Sequence, residues 1–209
     1  MRWDNLFADL EGQLEHELGA EDLELRVEEE RLRLGRLSLR DRMRALSGPG
    51  ESSAPLLLCL ADGSTVRLRP ATFGRDWVSG ELVPEGRHGA ERARTSTRAL
   101  VPLEAVVSVG LTETQVAPSL EPNGEQERPQ DAAPRLIDRL GLAFALRDLA
   151  RRRSVVTVVT LAGTMHGTID RVAKDHFDLA LHEPDAPRRA MNVRGIRIVP
   201  MTAVALVRL

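Results

Sequence analysis

This chain of 209 residues repeats itself. Leu60-Ala61-Asp62-Gly63 is answered by Leu161-Ala162-Gly163. Gly74-Arg75-Asp76-Trp77-Val78 is answered by Ala173-Lys174-Asp175-His176-Phe177, and Val101-Pro102-Leu103-Glu104-Ala105-Val106 by Val199-Pro200-Met201-Thr202-Ala203-Val204. The offset drifts only from about 100 to 98 residues. A unit that recurs at a fixed period is one packing module used twice, so the two halves must share a topology. That constraint comes before any reading of single elements.

Both units read as short strands behind a helix. Leu56 to Leu60 is an apolar run, Asp62-Gly63 a hairpin turn, and Thr65 to Arg69 alternates. Strands are expected again at Asp76 to Val83, Ala99 to Val101 and Ala105 to Val109, with a polar loop over 85–97. The second unit repeats this with Val155 to Leu161, a turn at Gly163, Met165 to Val172, Phe177 to His182, Met191 to Val199 and Ala203 to Leu209. Leu39-Arg40-Asp41 before the first unit is echoed by Leu146-Arg147-Asp148 before the second, so a helix belongs to each module. Trp3, Leu6, Phe7, Leu10, Leu14 and Leu18 predict an amphipathic helix, and Leu23, Val27 and Leu34 a second one interrupted at Gly35. Ser38 to Asp41 resembles a capping box opening a third. Residues 112–134 hold five prolines or glycines among acids and glutamines, which predicts a linker without a core.

The expected fold is therefore α+β. A helical region over 1–46 precedes a first barrel over 55–110, a disordered acidic linker over 111–134, and a helix plus second barrel over 135–209. Five strands in about 55–60 residues suit a small closed barrel, and closure would remove the sticky sheet edges.

Composition narrows the function classes. The single cysteine, Cys59, cannot form an internal disulfide, which points to a reducing cytoplasm. Its place in Leu56-Leu57-Leu58-Cys59-Leu60 predicts a buried, inert thiol. No signal peptide or membrane-spanning run is read in the sequence, so no membrane partner is expected. There is no GxSxG, HExxH, CxxC or phosphate loop, and no Ser-His-Asp or Cys-His set. His166 and His176, near Asp170, Asp175 and Asp178, lack ligand spacing, so surface histidines rather than a metal are expected. No enzyme activity, cofactor or catalytic residue is predicted.

Charge is segregated. Residues 1–46 carry 8 basic and 12 acidic side chains, whereas residues 135–209 carry 13 and 7, a net charge of +6. Arg151, Arg152 and Arg153 end the second helix, where cations also favour the helix dipole. Arg188, Arg189, Arg194 and Arg197 lie on or beside one loop, and no acid follows Asp185. Phosphate or an acidic protein would suit such a cluster.

The strand unit resembles the Sm-like family, which includes bacterial Hfq. The resemblance rests on Val156 to Gly163, Gly167-Thr168-Ile169, Asp175 to Leu181, and Val193-Arg194-Gly195 before an apolar strand. The chain as a whole resembles proteins of actinobacteria. The Sm likeness implies tandem Sm/SH3-like barrels, and rings that bind single-stranded RNA. It would place Asp175, Asp178, Arg194 and Gly195 at RNA contacts, with Arg151, Arg152, Arg153, Arg188, Arg189 and Arg197 adding basic anchors. The first copy has Leu68 in place of a motif glycine, which suggests a structural role for it. The functional expectation is a non-enzymatic RNA- or nucleic-acid-associated protein. The alternative is a protein-interaction scaffold, with residues 4–34 docking a partner and the barrels pairing with each other or across chains. Homo-oligomerisation is left open.

Overall fold

A computed structural model describes residues 23–47, 54–84, 97–121, 136–184 and 188–209. The chain divides into two compact units, Met1–Asp41 and Arg42–Leu209. In the first, helix α1 runs over 23–36, with ion pairs Glu28–Arg31 and Glu30–Arg33 on its surface. The amphipathic stretch from Trp3 to Leu18 lies outside the described residues. Helix α2 (Leu39–Ala45) starts where Ser38 Oγ accepts the Asp41 amide at 3.1 Å, the cap expected from the sequence. Residues 42–45 of α2 belong to the larger unit, and Met43 is part of that unit's core.

That unit is built on ten strands. β1 (Leu56–Leu60), β2 (Thr65–Phe73), β3 (Trp77–Val83), β4 (Thr97–Pro102) and β5 (Val106–Gly110) come first. Helices α3 (Glu113–Leu120), α4 (Leu136–Arg139) and α5 (Leu142–Arg151) follow. β6 (Val155–Thr160), β7 (Gly163–Val172), β8 (His176–Leu181), β9 (Gly195–Pro200) and β10 (Val204–Arg208) complete the chain. The first hairpin turns at Gly63, whose φ of 83° is open to glycine at no steric cost.

The two expected barrels are not formed. All ten strands join one antiparallel sheet in the order β5-β1-β2-β3-β4-β10-β6-β7-β8-β9, and that sheet is not closed. A closed five-stranded module needs its two outer strands to pair with each other. Here β4 pairs with β10 instead, Leu100 opposite Val207 and Ala99 opposite Arg208. The two halves thereby become one sheet.

Each half still keeps the same internal plan. The orders β5-β1-β2-β3-β4 and β10-β6-β7-β8-β9 match strand for strand. The register of β2 on β3 shifts between Pro70 and Thr72, and that of β7 on β8 between Ile169 and Arg171. The Leu103 amide donates to the Asp76 carbonyl, as the Met201 amide does to the Asp175 carbonyl.

The joint is the best buried part of the sheet. Val204 to Val207 of β10 are all buried. Val204 and Val207 face a core with Leu146, Val156, Val158, Ile169, Phe177 and Leu179, whereas Ala205 and Leu206 face one with Leu56, Leu58, Leu60, Leu68 and Val78. Trp77 and Leu100 of the first half sit in the second half's core. One strand thus carries apolar residues into cores on both of its faces, the pattern of a fully internal strand.

Three further expectations change. Residues 113–120 of the predicted linker form α3, because Thr112 and Gln115 close a capping box. Ala190–Asn192 is a 3₁₀ turn, so β9 begins at Gly195, not near Met191. Cys59 is only half-buried, because the β1 alternation turns Leu56, Leu58 and Leu60 inward and Cys59 to the other face. There the hydroxyls of Ser108 and Thr65 hold its thiol below the usual range.

Candidate functional site

The basic residues singled out in the sequence do not form one open cluster. Arg188 grips Asp170 with two bonds, Nε to Oδ1 at 2.8 Å and Nη2 to Oδ2 at 2.5 Å, which hold its guanidinium still more firmly protonated. Arg194 pairs with Glu183 at 2.6 Å, and Arg152 with Asp148 at 2.8 Å. The carboxylates missing from the sequence around the loop come from β7 and from the segment after β8.

The remaining candidates separate along the strands. Asp178 on β8 faces Arg171 at 3.7 Å. Asp175 lies at the start of β8, bonded to His176 Nδ1 at 2.7 Å, a bond that holds its carboxyl below the ordinary carboxylate range. Gly195 pairs with Leu181, at the far end of the same strand. A six-residue strand spans roughly 17–20 Å, so Asp175 and the Arg194-Gly195 pair cannot touch one phosphate together. Arg151, Arg153, Arg189 and Arg197 are exposed and have no acidic partner among the described residues. Register places Arg151 to Arg153 at the same end of the sheet as the β8–β9 loop: Val155 lies opposite Thr168, Thr168 opposite Ala180, and Ala180 opposite Ile196.

The histidines are engaged individually. His166 bonds the Thr157 hydroxyl at 2.9 Å, and buried His182 bonds the Thr168 hydroxyl at 2.9 Å while Nδ1 donates to the Glu183 carbonyl at 2.8 Å. No group of three metal-ligating side chains occurs among the described residues. No helix there is long and apolar enough to cross a membrane.

A different feature stands out at the two ends of the sheet. Among the described residues β5 pairs only with β1, and β9 only with β8. Each end therefore presents backbone N–H and C=O groups without a strand to receive them, a template for another chain. Both ends carry exposed apolar side chains: Val107 is 69% exposed, Ile196 56% and Ile198 70%. The alternating apolar residues were visible in the sequence. Their position on an outer strand was not, because a central strand has the same alternation.

Inside the molecule the same kind of strand is used differently. Besides the β4–β10 ladder, the joint is held by a loop that grips the start of α5. Asp76 Oδ1 accepts the Leu142 amide at 2.6 Å, Trp77 Nε1 donates to the Leu140 carbonyl at 3.0 Å, and the Arg75 amide donates to that carbonyl at 2.9 Å. The sequence counterparts of Asp76 and Trp77, namely Asp175 and His176, have side chains 83% and 43% exposed.

Comparison of the chain with protein families, with curated proteins and with solved structures finds no match.

Proposed function

We propose that this protein is a non-enzymatic scaffold that binds polypeptide through the edges of its sheet. One observation carries the reading: each outer strand is paired on its inner side only among the described residues, and exposes valine or isoleucine beside the free backbone groups of its outer side. Adding a strand to such an edge satisfies the backbone ladder and covers the apolar side chains in one step. The part-buried, two-bonded pair of Arg188 with Asp170 argues in the same direction, since it removes that guanidinium from the set that would meet phosphate.

A second reading, nucleic-acid binding, draws on one observation. Arg151, Arg153 and Arg189 are exposed near one end of the sheet without an acidic partner among the described residues. Such groups contact phosphate without reading sequence, and their binding weakens steeply with salt.

Photo-crosslinking in the native host separates the two. A photoreactive residue placed at Val107 or Ile198 is expected to yield polypeptide adducts, and one at Arg153 or Arg189 no nucleic-acid adducts. Nucleic-acid adducts from Arg153 or Arg189, with no polypeptide adduct from Val107 or Ile198, would overturn the scaffold reading in favour of the second.

A further inference from the structure

We infer that the partner of each edge is a second copy of this chain, joined head to tail: β9 of one copy pairs with β5 of the next, in the geometry that already joins β4 to β10. The inference rests on the scaffold reading and names the polypeptide bound.

It follows from the sheet order. Counting strands within each half, β4 holds the place in the first that β9 holds in the second, and β10 the place that β5 holds. The molecule thus contains one joint between an edge of the first kind and an edge of the second kind. What it leaves open is again one edge of each kind. Two unlike, complementary edges make a heterologous contact, which either closes into a ring or continues as a filament.

The burial of equivalent residues supports the match. Leu100 and Val207, directly opposite in the joint, are 4% and 0% exposed. At the 98-residue offset their counterparts are Ile198 and Val109, and Ile198 is 70% exposed. Ala205, fully buried in β10, corresponds to Val107, 69% exposed in β5. At Ile198 and Val107 the free edges therefore display groups that the internal joint covers, while Val109 is half-buried against the first half's core. Asp175 repeats the asymmetry: its counterpart Asp76 caps α5, while the Asp175 side chain is 83% exposed.

The offset also sets the register. Ile198 lies opposite Val109, and Arg197 opposite Gly110. The Leu111 amide donates to the Ile196 carbonyl, as the Leu209 amide donates to the Arg98 carbonyl at 2.8 Å. Arg197 then meets a residue with no side chain, so the pairing brings no like charges together.

The test uses the purified full chain. Light scattering over a concentration series is expected to give a multiple of the chain mass. Val107→Asp and Ile198→Asp should each raise the dissociation constant at least about tenfold; both positions are exposed, and unchanged circular dichroism and melting would show that the fold persists. In a Cys59→Ser background, Ile198→Cys and Val109→Cys should form a disulfide under mild oxidant only when the two variants are mixed. A wild-type chain that stays at single-chain mass overturns the inference. So do an assembly that ignores both Asp variants, and disulfides formed by either variant alone, which would mean like edges pair. If the chain is single yet Val107 and Ile198 still crosslink other polypeptides in the cell, this inference falls and the scaffold reading stands. If those crosslinks are also absent, both fall.

Discussion

The loop that grips α5 makes a quantitative prediction about two aspartates that look alike in sequence. The helix begins after Gly141, which has no side chain with which to cap it. A Cβ there would come within 2.7 Å of Arg75 Nη2 and 3.1 Å of Asp76 Oδ2, so the exposed Arg75 side chain would have to move aside for any larger residue. Asp76, 66 positions earlier, acts as the cap instead, accepting the amide of Leu142, a residue only 5% exposed. Asp76→Ala removes a charged acceptor at a helix N-terminus and leaves a nearly buried amide unpaired. Loss of a cap costs about 1 kcal/mol, and the orphaned donor raises this toward about 2 kcal/mol. The loss of the exposed Arg75–Asp76 pair, with side chains 67% and 46% exposed, adds almost nothing. For a domain of this size the change lowers the melting temperature by roughly 3–6 °C. Asp175→Ala removes the counterpart carboxylate, which touches only its neighbour His176 and is open to solvent. In the dissociated chain, that variant should lose much less than Asp76→Ala, since an ion pair open to solvent contributes little. Urea and thermal unfolding of both variants, at a concentration where the chain is single, check the pair. Equal losses for the two variants, or no loss for Asp76→Ala, would refute the docking argument.

Other outcomes follow from the core, the glycines and one carboxylate. Leu206→Ala, at a fully buried position of β10, should cost about 2–5 kcal/mol by urea unfolding, since the two cores meeting there leave little room to collapse. Gly80→Ala and Gly167→Ala would each drive a Cβ to within 2.1 Å of a backbone oxygen, of Arg69 and Ala180 respectively, so each should destabilise by about 1–3 kcal/mol, whereas Gly195→Ala, with open space around it, should be close to neutral. His176→Ala should raise the titration midpoint of Asp175, followed by carboxyl NMR, back into the ordinary carboxylate range. The folded carboxyl titrates below its unfolded value, so its contribution to stability is present above the unfolded pKa. It is lost as pH falls through the folded one, and His176→Ala should flatten that part of the acid-unfolding curve.

Much of the local structure was legible in the residues. The run Leu56 to Leu60 with Asp62-Gly63 behind it marked β1 and its turn, and Ser38 to Asp41 marked the start of α2. Those signals act within a few positions, where side-chain alternation, a positive φ or a capping oxygen is decided by the residue itself. The basic site was less legible. Arg188 finds Asp170, 18 positions away, only because β7 and the β8–β9 loop approach each other in the fold. No local pattern distinguishes a guanidinium that will be paired in this way from one left for a ligand.

The amino-acid order alone pointed to two similar halves, with strands and turns at offsets of about 98 to 100 residues. It could not say whether each half closes on itself or joins the other. That choice is made by backbone hydrogen bonds between Ala99-Leu100 and Val207-Arg208, more than a hundred positions apart, and almost any side chain can accompany such bonds. Packing decided it: Val204 to Val207 have apolar residues for both faces, and β10 becomes an internal strand only if β4 lies beside it. The same choice left β5 and β9 as the outer strands, each paired on one side only among the described residues.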